Sequence, residues 1–222
     1  MTNRPWAAAR IALALGGLAV PTLCWAGGAT DYGIPTKGAS IEAFAPKGWT
    51  VRDRLQADFN GDGLADNVLV LTNTEKEEAD QGEETVPRLL VVLFGQPDGS
   101  FVLSAFSEKA LLCGHCGGLM GDPYDKMSVA KGGFSVDHYG GSSDRWGFHH
   151  QYRYQDGAWV LIGHKVTTMN VLHAEDGDVT DINLLTGKQV QRTTKDGRTR
   201  ETVTQLPKKP PPRLEEVDAE AD

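Results

Sequence analysis

The 222-residue sequence is short of cysteine, positive charge, helical periodicity and long apolar runs, and each shortage narrows what it encodes. Its three cysteines leave no second ligand pair at finger spacing, which argues against a zinc finger. Lys and Arg number 22 against 30 Asp and Glu, a formal charge of −8, so the surface repels phosphate backbones and a nucleic-acid partner is not expected. The one conspicuous apolar run, Ile11 to Val20, is too short to span a bilayer as a mature helix. Helix signals are confined to Ser40–Ala45, with Ser40 as N-cap, and Ser107–Leu112. No ion motif repeats at blade-length period, which counts against a full propeller.

What is present begins with a leader. Arg4 and Arg10 precede the apolar run, and Pro21 and the small-residue exit Cys24-Trp25-Ala26 follow it, so residues 1–26 read as a secretory signal peptide cleaved after Ala26. A lipid-anchored Cys24 is the rival reading, disfavoured by the bulky Leu23 before it. Cleavage would leave a formal charge of −10 and only two cysteines, Cys113 and Cys116, expected to bond to each other in the periplasm or outside the cell. No transmembrane segment is expected in the mature chain.

Residues 27–206 read as a single β domain. "NVLVLTN" (Asn67–Asn73) is a strand, and "TEKEEADQGEET" (Thr74–Thr85) a solvated, mobile loop. "PRLLVVLFG" and "SFVLSAF" form a hairpin about the Pro97-Asp98-Gly99 turn, with Leu89–Phe94 apolar enough to be covered on both faces. Two further strands flank Gly132-Gly133. The Asp156-Gly157 pair predicts a type I′ hairpin placing Tyr154 opposite Trp159 and Tyr152 opposite Leu161, with Trp146, Phe148, His150, Tyr152 and Tyr154 on one face. Turns about every ten residues predict a mainly β fold, an antiparallel meander of propeller-blade or sandwich type with one or two short helices. Residues 207–222, rich in proline and acid, read as a disordered tail.

Within "DFNGDGLAD", oxygen-bearing side chains recur at every second position. Asp58, Asn60 and Asp62, then the carbonyl of Leu64, then Asp66, make a donor set for calcium, with Gly63 where the chain must turn sharply. The loop is not an EF-hand, because Leu69 stands where a bidentate Glu is required; the plain alternative is an Asx-rich turn without metal. The segment "FAPKGWTVRDRLQADFNGDGLADNVLVL", with "LLCGHCGGLMGDPYDKMSVAKGGFSVDHYGGSSDRWGFHHQYRYQDGAWVLIGH" and "INLLTGKQV", resembles a family of exported bacterial proteins whose ion loop is similar to those of FG-GAP and integrin alpha-subunit blades. That resemblance implies an exported β domain with a structural calcium at Asp58, Asn60, Asp62, Leu64 and Asp66, and no assigned activity.

"CGHC" also matches the redox pair of disulfide isomerases, but Gly117-Gly118 after it are poor helix starters, so a structural disulfide is expected. Asp137, His138, Ser142, Ser143 and Asp144 contain the residue types of a hydrolase triad without a nucleophile-elbow pattern. The remaining candidate is a binding surface at His138, Tyr139, Ser142 and Trp146, where glycines admit a ligand to the backbone and the aromatic rings stack on a sugar or peptide; Trp146 as plain core is the alternative. The expected role is a binding or interaction module of the cell envelope whose ligand is a protein or glycan. A thiol oxidoreductase or a hydrolase is the runner-up.

Overall fold

The computed structural model describes residues 28–79, 86–130 and 132–221. The leader and residues 80–85 of the acidic run lie outside them. Among the described residues the fold is two antiparallel sheets. In the first, β2 (Thr50–Ala57), β3 (Asp66–Thr72), β4 (Leu89–Gly95) and β5 (Phe101–Ser107) form a meander, and the short β1 (Lys37–Gly38) pairs with the outer side of β5.

The second sheet is a seven-stranded meander: β6 (Tyr124–Ala130), β7 (Gly133–Gly141), β8 (Asp144–Gln155), β9 (Ala158–Asn170), β10 (His173–Asn183), β11 (Lys188–Lys195) and β12 (Arg198–Gln205). Of the two meander forms left open by the sequence, the packing is that of a sandwich. Val68, Val70, Leu90 and Val92 of the first sheet meet Phe134, Val136, Tyr152, Trp159 and Leu161 of the second in one core.

The uninterrupted apolar runs of β3 and β4 have a direct cause. Their alternate residues, Leu69, Leu71, Leu89, Val91 and Leu93, pack on a second cluster with Ala29, Ile34, Ile41 and Phe44 from the segment before β2. Both faces are therefore dry, an arrangement antiparallel strands adopt only when covered twice. A bulge in β5 leaves Ser104 without a ladder partner between Leu103 and Ala105, and its hydroxyl accepts a 3.0 Å hydrogen bond from Trp159 Nε1. The predicted β8–β9 hairpin is present in its predicted register, with Asp156 and Gly157 both at positive φ.

Three readings are corrected. The acidic run forms a helix, α1 (Thr74–Ala79), in its described part, because Asn73 accepts from the Lys76 N–H and caps it. Ser107–Leu112 is not helical: Ser107 ends β5 and a bend follows it, in which the Ser107 hydroxyl accepts from the N–H groups of Lys109 and Ala110 as at a helix N-cap, but no helix follows. Ser40–Ala45 does contain a 3-10 turn, Ile41–Phe44, although the Ser40 side chain does not cap it.

The third correction concerns the tail, which is ordered over its described residues. Pro212 accepts from the Leu161 N–H, Arg213 bridges to Val160, and Leu214, Val217 and Ala219 are buried. The proline run delivers an apolar triplet that seals the end of the sandwich. No helix among the described residues is long and apolar enough to cross a membrane. If the tail is part of the core, Leu214→Ala will lower the unfolding free energy by about 2–5 kcal/mol in urea titrations; a loss near zero would show that the contact is dispensable.

Candidate functional site

The acidic loop joins β2 to β3, and Gly61 and Gly63 take the positive φ its tight winding requires. Asp58 accepts from the N–H groups of Gly61 (2.7 Å) and Gly63 (3.0 Å), Asn60 from that of Asp62, and Asp62 from that of Leu64. The structure thus winds Asp58, Asn60 and Asp62 into one turn. It sets Asp66 apart: fully buried, its carboxylate accepts from the N–H groups of Phe59 (2.9 Å) and Gly95 (3.0 Å), fastening the loop to the end of β4. Burial pushes the Asp66 carboxyl above its ordinary range against the pull of those N–H donors. The donor chemistry, three carboxylates and an amide, suits a hard cation. No group of three or more His, Cys, Asp or Glu among the described residues is gathered closely enough to hold a metal ion.

The candidate binding residues divide between the two faces of the second sheet, because strand neighbours point oppositely. Trp146 lies on the core-side face, stacked on Phe148 at 4.9 Å and pressed against Gly140, where a Cβ would come within 2.4 Å of its ring. His138 is on the same face and buried. Tyr139 is on the outer face and exposed, while Ser142 sits exposed in the β7–β8 turn. His138, Tyr139 and Trp146 all border the groove described next, but the rings of Tyr139 and Trp146 reach it from opposite faces of the sheet and do not form one stacking platform.

The outer face has a site of its own, a groove of about 460 Å³. Its plan follows from register. In one row Asp137, His149 and Lys165 stand side by side on β7, β8 and β9; in the next come Tyr139, Gly147 and Thr167; in the third, Gly141, Arg145 and Met169. Gly147 is the centre of this grid, and the missing side chain there makes the hollow. His149 Nδ1 lies 2.6 Å from Asp137 Oδ1. Lys126 and Asp125 of β6 complete one wall. The lining carries three cations against two carboxylates, one of them engaged by His149, in a chain whose overall charge is negative. Neither Lys126 nor Lys165 forms an ion pair among the described residues.

The residue types of a hydrolase triad at Asp137, His138, Ser142, Ser143 and Asp144 are not brought together as one. Asp137 faces the groove, whereas His138 faces the core, with Nε2 accepting from the Leu112 N–H at 3.3 Å and Nδ1 without a partner among the described residues. Burial first, then the neighbouring His150 and Arg88, push the His138 pKa down to about 3, with Asp122 opposing, so the ring is neutral. The Asp–His pair that does form, Asp137 with His149, was not singled out in the sequence; its register follows from the pairing of Gly141 with Arg145 across the three residues Ser142 to Asp144.

Cys113 and Cys116 are disulfide-bonded, with Cα atoms 5.1 Å apart. Only a three-residue 3-10 turn, Gly118–Met120, follows, and Glu220 Oε1 lies 3.6 Å from Cys116 Sγ, so no helix dipole favours a thiolate there and a carboxylate opposes one. The loop is instead a brace. His115 Nε2 donates to the Glu77 carbonyl of α1, and Gly114 lies against the buried Arg88, which binds Glu77 and, with both terminal nitrogens, Asp122. Burial works to raise Asp122, but its hydrogen bonds with Arg88 prevail and hold it low.

Comparison of the chain with protein-family models, curated proteins and solved structures found no match in any of the three.

The His138 environment sets a pH dependence. Its folded-state value of about 3 lies below the ordinary value of about 6.5, so the unfolded chain binds one more proton between the two. The stability it contributes is complete above about pH 6.5 and is lost as pH falls toward 3, by at most about 1.4 kcal/mol per pH unit. His138→Gln keeps an acceptor for Leu112 and is expected to flatten this acid limb relative to wild type in denaturant titrations between those values. Parallel limbs would show that His138 takes up no proton on unfolding.

Proposed function

We propose that the chain is an exported β-sandwich, braced by calcium at the Asp58–Asp66 loop, that acts as a binding module of the cell envelope through the groove centred on Gly147. The observation that carries the binding reading is the character of that glycine. A Cβ at Gly147 would meet nothing closer than 3.5 Å, and its φ is not positive, so neither packing nor backbone conformation requires glycine there. A glycine inside a strand weakens it, and an unforced one marks a place where something else approaches the backbone.

Export is supported by the leader pattern and by a bonded cysteine pair, which suits an oxidising compartment. Calcium is supported by the resemblance to FG-GAP-type loops and by the alternation of oxygens. Asp58, Asn60 and Asp62 would hold it with the Leu64 carbonyl, and Asp66 closes the set while anchoring the loop to Gly95. A hydrolytic reading has one observation in its favour, the Asp137–His149 pair in the groove, which moves it away from His138. Thiol oxidoreduction is disfavoured by Glu220 beside Cys116.

Two measurements test these readings. Saturating calcium is expected to raise the melting temperature by about 5–10 °C, an increment abolished by chelator and by Asp62→Ala; no increment in the wild-type protein ends the calcium proposal. Gly147→Val fills the hollow with a strand-favouring residue, gaining up to about 1 kcal/mol of stability. Wild-type protein should co-sediment with isolated cell-wall and membrane fractions and the variant should not. Equal sedimentation of the two, or none by either, would refute binding through the groove.

A further inference from the structure

We infer that the groove takes an acidic sugar, a saccharide ring carrying a carboxylate or sulfate. This rests on the binding reading above and specifies its ligand.

Four features of the site select that chemistry. The groove lies on a sheet face, not an edge, and the strands beneath it, β7, β8 and β9, spend their backbone hydrogen bonds on one another. A peptide therefore cannot add as a strand here, and recognition falls to side chains. The hollow is of small-molecule size. Tyr139, 40% exposed, borders the bare backbone of Gly147, so a flat ring can settle on the glycine with one face against the phenol.

The charge is the fourth feature. Lys165, Arg145 and Lys126 surround the hollow on three strands, and among the described residues neither Lys165 nor Lys126 forms an ion pair, although Asp181 and Asp137 stand opposite them in the ladders. A single anionic group can be held there by charge-assisted bonds. A densely charged polyphosphate would meet the repulsion of a chain with a formal charge of −8. Thr167 and the imidazole of His149, fixed by Asp137, remain for ring hydroxyls.

Titration calorimetry on the full exported chain, with short oligogalacturonate as the probe, tests this directly. Three comparison probes are a neutral glucan oligomer of equal length, oligoglutamate and adenosine monophosphate. Oligogalacturonate is expected to bind best, to lose affinity about ten- to a hundredfold in Lys165→Glu, and to be lost in Gly147→Val, which melts no lower than wild type. Tyr139→Ala should weaken it about fivefold.

Stronger binding of the neutral glucan, of oligoglutamate or of the nucleotide would overturn the acidic-sugar assignment while leaving the groove a binding site, provided Gly147→Val still abolishes that binding. Binding of oligogalacturonate that neither Gly147→Val nor Lys165→Glu disturbs would overturn the site. If no probe binds while envelope sedimentation still depends on Gly147, the sugar inference fails alone; if sedimentation is also indifferent to Gly147, both fail together.

Discussion

Everything in this fold answers to the burial of β3 and β4 on both faces. Two adjacent strands with no polar face need a cover on each side, and the chain supplies them from opposite ends of its sequence: residues 28–49 over Leu69, Leu71 and Val91, the second sheet over Val68, Val70 and Val92. Burial on that scale leaves the strand ends as the only places where charge can reach the backbone. Asp66 sits at one end, binding Phe59 and Gly95; Arg88 sits at the other, bound by Glu77 and Asp122. Each is buried, and each is satisfied by several hydrogen bonds, the condition under which a buried charge holds structure together rather than loosening it.

The two loops read as chemical motifs are attached to these two charges. The acidic loop hangs from Asp66, and the disulfide loop leans on Arg88 through Gly114. Their first role in the molecule is thus the same: each closes one end of a dry two-stranded centre. A cation in the acidic loop would add to that closure, since it would draw together the carboxylates on the chain leading into β3. Reduction of the cysteine pair would loosen the opposite end, where Glu77 ties α1 to His115 and Arg88.

How much of this was legible follows from the range of the interactions. Strand alternation and the Asp156-Gly157 turn are local, and they gave the β8–β9 register near the turn, Tyr154 with Trp159 and Tyr152 with Leu161, but not the bulge beyond Tyr152 that shifts the rest of the ladder by one residue. The two-sided cover of β4 was legible because an uninterrupted apolar run leaves neither face of a strand fit for water. The tail was misread because Leu214 and Val217 are isolated apolar residues in an acidic, proline-rich setting, and only the distant partners in β5 and β9 make them core. The same blindness split the binding surface. Tyr139 and Trp146 are close across a turn, yet pairing Tyr139 with Gly147 sets Trp146 one step out of phase and on the other face. The Asp137–His149 pair needed that same register, which no local signal in the sequence stated outright.

The glycines of the second sheet separate structural need from vacancy. At Gly133 a Cβ would lie 2.0 Å from the Tyr152 carbonyl oxygen, a backbone clash that requires glycine, and at Gly140 it would strike the Trp146 ring, so that the indole would have to move. Gly147 has no such obligation, although it lies within a twelve-residue strand where a β-branched residue would pack and stiffen the ladder. Its neighbours make the vacancy specific. The hollow is ringed by an exposed phenol, a threonine, an imidazole held by a carboxylate and an arginine. A site shaped by the absence of one side chain, on a face the core does not use, can change its occupant by changing its rim while the dry strands beneath stay as they are.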